Sequence, residues 1–166
     1  MRNERQPRST KRIGELLVER GLIGPAQLDQ ALARQRSTGE FLGAILIGMR
    51  AISEQALLEA MSLQFGIPHE PLRPSQVDWT VARQFPPSAL AEGNAFPIRA
   101  DANAVTVAIA NPLDAWTLSL LEGAASRRAV RPVLVLASEL QAVVREHQRQ
   151  TLRAIEARLN GESHGA

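Results

Sequence analysis

The chain has 166 residues, of which 45% are apolar, and its 19 basic residues nearly balance its 17 acidic ones. This apolar share is enough to bury a core, so the composition indicates a folded protein and excludes a disordered one. The balanced charge excludes a strong long-range attraction to nucleic acid or to an anionic membrane, and the lack of cysteine excludes disulfides and thiolate metal sites.

Residues 1–9, MRNERQPRS, are polar and basic. We expect them to be a disordered lead-in and not a secretory signal, because no apolar core follows them. The longest apolar run, residues 41–49, is far shorter than the ~20 residues of a membrane span. We therefore expect a cytoplasmic protein that does not insert into the membrane.

Four helices are predicted over residues 10–68, where apolar residues recur at helical spacing. Gly21 is a typical helix end, Gly24 and Pro25 are a typical start, and Ser53 is a typical cap for the last helix. The predicted helices cover residues 10–20, 25–38, 41–49 and 54–65.

The region after Pro68 is interrupted by prolines and contains strand-like apolar runs, and it is predicted to form an α/β subdomain over residues 69–150. A short helix is expected near 75–85, and two strands of a hairpin at 95–99 and 104–110 flank a turn. A helix near 113–122, a strand at 129–136 and a helix over 138–159 follow, with 151–166 as helix end and tail. The fold class predicted is α+β, with about three strands.

Two stretches of the helical part carry the same pattern, RIGELLVERGLIGPAQLDQALARQ (12–35) and FLGAILIGMRAISEQALLEAMSLQ (41–64). At an offset of 29 they share six identities in 24 positions, which indicates a duplication. The identical pairs are Gly14/Gly43, Leu17/Leu46, Ile23/Ile52, Leu28/Leu57, Ala31/Ala60 and Gln35/Gln64. The helical part is therefore predicted to be a four-helix unit of two duplicated hairpins.

The paired glycines and glutamines are the candidate binding residues. A glycine inside a helix costs roughly 1 kcal/mol relative to alanine, so matched glycines indicate either close helix packing or the close approach of a ligand. In the second case a bulky residue at Gly14 or Gly43 would block the ligand and leave the helices folded. Gln35 and Gln64 carry amides that can bond a base edge, although a surface glutamine is usually solvated. A repeated site suits a two-fold symmetric ligand.

The repeated pattern resembles the cyclic di-GMP motif of MshEN domains, the N-terminal domains of type II secretion and type IV pilus assembly ATPases. In that family the motif occurs twice with a five-residue spacer, which is residues 36–40 here. The resemblance covers residues 12–64 closely and extends more loosely to about residue 147. It implies ligand-binding positions at Arg12, Ile13, Gly14, Leu17, Val18, Ile23, Leu28, Leu32 and Gln35, and at Phe41, Leu42, Gly43, Leu46, Ile47, Ile52, Leu57, Met61 and Gln64.

The resemblance also implies roles for these positions. Arg12 would lie over a guanine face, and Phe41, which replaces the leading arginine of the motif, would stack without a charge. The leucines would cover base and ribose, and amides near Gly14 and Gly43 would meet phosphates. Asp114, in the run AIANPLD, would accept from a guanine edge; its alternative role is that of an acid at a helix N-terminus.

The expected function is that of a non-enzymatic cyclic di-GMP sensor acting on a secretion or pilus ATPase or its platform protein. The only lysine, Lys11, stands between Thr10 and Arg12, so the chain has no Walker A loop. No histidine has a second ligand at metal spacing, and no cofactor is expected. The alternative is a docking module that links such an ATPase to its inner-membrane platform protein. DNA binding is disfavoured because Asp29 and Gln30 stand where basic residues would be needed.

Overall fold

The computed structural model describes residues 12–90, 94–125 and 128–162. The lead-in predicted for residues 1–9 lies outside them. The chain divides into two compact units, Met1–Glu70 and Pro71–Ala166. Within the ranges described, none of the helices combines the length and apolar character that a membrane span requires.

The N-terminal unit contains four helices, which confirms the prediction of two helical hairpins. They are α1 (Ile13–Glu19), α2 (Pro25–Thr38), α3 (Leu42–Gly48) and α4 (Glu54–Phe65). The caps explain the boundaries: Gly24 N donates to Gln27 Oε1 (2.7 Å) at the start of α2, and Ser53 Oγ accepts from Ala56 N (3.2 Å) at the start of α4.

The first helix of each hairpin ends with the same backbone turn. The residue after the C-cap is left-handed in both, with φ of 67° at Gly21 and 57° at Arg50. The next amide then donates to the carbonyl five residues earlier, as in a Schellman motif. These bonds are Leu22 N to Leu17 O and Ala51 N to Leu46 O, both at 2.9 Å.

The core of this unit is built from equivalent residues of the two repeats. The buried pairs are Leu16/Ile45, Leu17/Leu46, Ile23/Ile52 and Ala31/Ala60. Helix α1 packs against α4, and α2 packs against α3. Each repeat therefore buries its apolar face against the other, and the core belongs to the pair.

The C-terminal unit begins with short helical segments. A 3-10 turn (Pro74–Gln76), α5 (Trp79–Ala82) and α6 (Pro87–Leu90) precede the sheet. The single helix predicted over 75–85 is therefore wrong in extent, since the segment is two short pieces. Helix α6 was not predicted because two consecutive prolines look like a break, although proline is favoured at the first position of a helix.

The sheet has three strands, β1 (Ala95–Ala100), β2 (Ala104–Ile109) and β3 (Ala129–Leu134), in the order β1-β2-β3. Strands β1 and β2 form an antiparallel hairpin, and β2 pairs with β3 in parallel, with α7 (Ala115–Ala124) in the crossover. Helix α8 (Ala137–Glu162) packs against β1 and β2. The α+β class and the three predicted strands are confirmed.

Candidate functional site

The leading positions of the two motifs, Arg12 and Phe41, have the same backbone geometry. Each is the N-cap residue of its helix, with φ of −66° in both and ψ of 148° and 135°. Arg12 is exposed, and 53% of the Phe41 surface is accessible, which is unusual for a phenylalanine. Neither side chain is part of the core, so both are free to meet a ligand.

The two motif glycines allow a close crossing of the helices within each hairpin. A Cβ atom at Gly14 would lie 2.6 Å from Leu28 Cδ1, and one at Gly43 would lie 2.6 Å from Leu57 Cδ2. These separations are well below van der Waals contact, so helix packing accounts for both glycines. A further role of their amides toward a phosphate stays a prediction.

The two motif glutamines have different environments. Gln35 is half-buried, and its Nε2 donates to Glu40 O at 3.0 Å, a bond that closes the spacer between the repeats. Gln64 is buried, with 8% of its surface accessible. Gln35 therefore reaches the surface more readily than Gln64, although the sequence made them equivalent.

The apolar motif positions fall into two groups. The first group is buried and can affect a ligand only by supporting the exposed residues that pack on it: Leu17, Ile23, Leu46, Ile52 and Leu57. A second group is only partly covered and can offer apolar surface to a ligand: Ile13, Val18, Leu28, Leu32, Leu42, Ile47 and Met61.

Asp114, the predicted acceptor in the second unit, caps helix α7. Its Oδ1 accepts from Thr117 N at 3.1 Å and its Oδ2 accepts from the Thr117 hydroxyl at 2.8 Å. The capping role that the sequence left as an alternative is therefore present. A carboxylate has about four acceptor sites, so capping does not use up its capacity. A contact between Asp114 and guanine stays a prediction.

Two large apolar side chains beside Asp114 were not singled out from the sequence. Leu113 and Trp116 have 59% and 69% of their surfaces accessible. In the sequence they look like the apolar face of the helix that follows, and helical periodicity contains no signal for their exposure. In the same loop Asn111 Oδ1 accepts from Leu113 N at 3.0 Å.

The histidines in the described ranges form no metal site. No group of three potential metal ligands occurs among the residues that the structure describes. His147 stacks on Trp79, with ring centroids 6.4 Å apart and planes at 3°, and meets the edge of Phe96 at 5.3 Å. Burial lowers the pKa of His147. This histidine is part of an aromatic cluster in the C-terminal unit.

The relatives found by sequence are much longer proteins. The type IV pilus assembly ATPase PilB of Thermus thermophilus is 36% identical over 114 residues, which are 68% of this chain and 13% of that protein. PilB of Myxococcus xanthus is 28% identical over 111 residues, 67% of this chain and 20% of that protein. Bacteriophage adsorption protein B of Escherichia coli is 29% identical over 133 residues, 80% of this chain and 18% of that protein. The chain thus spans about a fifth or less of each.

Two solved structures have the same fold. The structure of MshE with cyclic di-GMP superposes on this chain with a TM-score of 0.71 and 28% sequence identity. The superposition covers 82% of this chain and 98% of the MshE chain. This share exceeds the C-terminal unit, so it includes part of the duplicated helices. The N-terminal domain of XpsE gives 0.65 at 21% identity, covering 84% of this chain and 96% of that one, and shows the likeness of fold alone.

The family model of the MshEN domain matches residues 65–154, more than half of the chain. The matched region holds the end of α4, the sheet and most of α8, whereas the two motif copies lie almost wholly before it. The motifs and the family model thus point to the same family from largely different parts of the chain. The chain belongs to the MshEN domain family.

Proposed function

We propose that this chain is a non-enzymatic regulatory domain that binds one molecule of cyclic di-GMP. The observation that carries the proposal is the repeated placement of two exposed side chains, Arg12 and Phe41, at N-caps with closely similar backbone angles. Cyclic di-GMP is itself two-fold symmetric and presents two guanines. The likeness to MshE, whose structure was solved with this nucleotide, supports the same ligand class.

The two leading side chains can each stack on one guanine. An arginine over an aromatic face contributes ~0.5 to 2 kcal/mol, depending on how far it is desolvated. Phe41 offers a neutral face of similar shape, without the cation. The two guanines would therefore be held unequally, with the stronger contact in the first repeat.

The polar contacts in the proposal come from the glutamines and Asp114. The Oε1 atom of Gln35 can accept from a base edge while its Nε2 remains bonded to Glu40 O. The Asp114 carboxylate can accept from guanine N–H groups in addition to its capping bonds. Partly covered apolar residues such as Val18, Ile47 and Met61 would border the bases.

The proposal assigns no catalysis to the chain. Nucleotide hydrolysis by a P-loop requires a Gly-Lys-Ser/Thr element, and the sequence contains one lysine outside any such context. The relatives named as pilus assembly ATPases extend far beyond the aligned region. We propose that the chain passes the nucleotide signal to a secretion or pilus ATPase or to its platform protein.

Isothermal titration of the chain with cyclic di-GMP tests the proposal, with GTP and ATP as controls. We expect one molecule bound per chain and no heat from either control nucleotide. Phosphate release from GTP or ATP should stay at the level of buffer. No measurable binding at tens of micromolar cyclic di-GMP, or equal binding of GTP, would overturn the assignment.

A further inference from the structure

A groove in the N-terminal unit lies outside the two motifs. It has a volume of about 360 Å³ and runs between the C-terminal end of α1 and helix α4. Its lining residues are Arg20, Leu22, Ala56, Glu59, Ala60 and Leu63. None of them is a motif position, so the proposed nucleotide site does not account for this surface.

The duplication provides an internal control for the groove. At the offset of 29, Leu22, Ala56 and Leu63 correspond to Ala51, Gln27 and Arg34 in the other half. The two halves share the same fold, so that fold does not require apolar side chains at the positions of Ala56 and Leu63, and at the position of Leu22 the smaller Ala51 suffices. Leu22 is 37% exposed and Leu63 is partly exposed, and neither belongs to the core cluster. The two solvent-accessible leucines of the lining are a property of one half only.

The charges at the rim indicate what the groove would accept. The Glu59 carboxylate accepts from the neutral amide Gln55 Nε2 at 2.8 Å and keeps its negative charge. Arg20, at the other side, is exposed at the end of α1, so its guanidinium can meet an incoming carboxylate. The groove thus combines an apolar wall of Leu22 and Leu63 with one cation, Arg20, and one anion, Glu59. Its complement is an apolar side chain with an acidic residue on the side of Arg20 and no acidic residue beside Glu59.

We propose that this groove binds an amphipathic helix of a partner protein, with an apolar anchor between Leu22 and Leu63 and an acidic residue against Arg20. A groove between two helices suits the insertion of a third helix, whose anchors recur every three or four residues on one face. The volume is at the lower end of the ~300 to 1,000 Å³ usual for binding pockets. A second copy of this chain would have to bring a protruding apolar segment of its own into the groove, and the oligomeric state tests that alternative.

The probe for this proposal is a displayed library of 18-residue helices, with leucine fixed at two positions four apart and the remaining positions randomised, selected on the whole chain. A fluorescently labelled winner is then titrated by anisotropy. We expect an acidic residue to be enriched at one fixed distance from the leucines. The substitution Leu63→Arg, which introduces the residue of the other repeat, should weaken binding at least tenfold.

Charge reversal tests the contact with Arg20. Arg20→Glu should weaken binding about as strongly as Leu63→Arg, and exchanging the acidic residue of the helix for arginine should restore it. The matched control is Arg34→Leu, which makes the reciprocal exchange in the other half and should leave binding unchanged. Circular dichroism melts confirm that each variant is folded.

Three results would overturn the proposal. The first is a selection that enriches no helix above an unrelated protein. The second is a winner that binds folded Leu63→Arg as tightly as the parent. The third is a Leu63-dependent dimer in light scattering, which would give the groove to a second copy.

Discussion

At the scale of single residues, Arg12 and Phe41 offer the most direct test of the unequal halves. Since Arg12 presents a cation and Phe41 a neutral face, Arg12→Ala should cost more affinity for cyclic di-GMP, by about 1 kcal/mol, or roughly fivefold. Titration calorimetry of both variants measures the difference. Arg36→Ala is the control, because Arg36 is an exposed arginine in the spacer. Equal losses at Arg12 and Phe41 would contradict the cation–π contact.

Arg50 is in the left-handed conformation that glycine adopts at the equivalent position of the first repeat. A residue with a side chain loses about 1 kcal/mol or more of folding free energy in that conformation. Glycine avoids this loss, but its more flexible unfolded chain offsets part of the gain. Arg50→Gly should therefore stabilise the chain by about 0.5 to 1 kcal/mol in urea denaturation. The reciprocal Gly21→Arg should destabilise it. A lower midpoint for Arg50→Gly would show that the guanidinium stabilises more than the backbone conformation costs.

His147 should make stability depend on pH below neutrality. Burial holds its pKa below the ordinary value of 6.5, so the unfolded chain binds a proton more readily than the folded one. Stability should be highest above pH 6.5, fall as the pH drops below it, and level off below the folded-state pKa.

Urea midpoints at pH 7.5, 6.5 and 5.5 measure this slope, and His147→Phe, which keeps the ring contacts, should flatten it. Hydroxyl donation by Thr80 to Asp78, and backbone amide donation by Asn103 to Asp101, hold the pKa values of these carboxyls below 3.8, outside this range. A slope that survives His147→Phe would assign the effect to another group.

At the scale of secondary structure, the crossing of α1 and α2 decides what a larger residue at Gly14 does. The sequence-based expectation was that a bulky substitution would block a ligand and leave the helices folded. The effect on a ligand stays a prediction, and the structure adds a cost in stability, because Leu28 Cδ1 lies 2.6 Å from where a Cβ at Gly14 would be and has to move aside. Gly14→Leu should cost about 1 to 3 kcal/mol through overpacking. Thermal melts measure it, and Gly48→Ala serves as a control, since nothing lies within 4 Å of a Cβ there. An unchanged melting temperature for Gly14→Leu would show that Leu28 can move aside.

Helix boundaries could be predicted because their signals are local. Gly24 followed by Pro25 begins α2, and Ser53 begins α4, as the sequence indicated. The pairing of α1 with α4 could not be predicted, since the same apolar periodicity serves any partner helix. The left-handed turn at Arg50 could not be predicted either, because the second repeat lacks the glycine that marks this turn in the first.

The candidate site was predicted less completely than the fold. The register of the repeat made Arg12 and Phe41 equivalent positions, and the structure shows that both are exposed. The two glutamines occupy the same position in each motif copy, so the sequence could not show that Gln64 is buried and Gln35 half-buried. That difference depends on the neighbours of α4, which are distant in sequence. A motif thus identifies positions, and the packing around each one decides its exposure.

At the scale of the whole molecule, the two units carry different parts of the proposed function. The helical unit holds both motif copies, and the C-terminal unit holds Asp114 together with most of the region that the family model matches. A ligand that binds only the folded state stabilises whatever it contacts by RT ln(1 + [L]/Kd), about 2.7 kcal/mol at a hundredfold excess over Kd. This linkage reports which units take part.

Cyclic di-GMP at a hundredfold excess over its Kd should therefore slow hydrogen exchange in α1 and α3. The expected slowing is up to about 100-fold for amides that exchange through unfolding. Because Asp114 is among the proposed contacts, the first turn of α7 should also be protected, and Asp114→Asn should weaken affinity. Asp101→Asn is the control, since that carboxylate accepts from two backbone amides and forms an ion pair with Arg131 at 3.1 Å. Protection confined to the helical unit, with full affinity in Asp114→Asn, would leave Asp114 as the cap of α7 alone and give both guanines to the repeat.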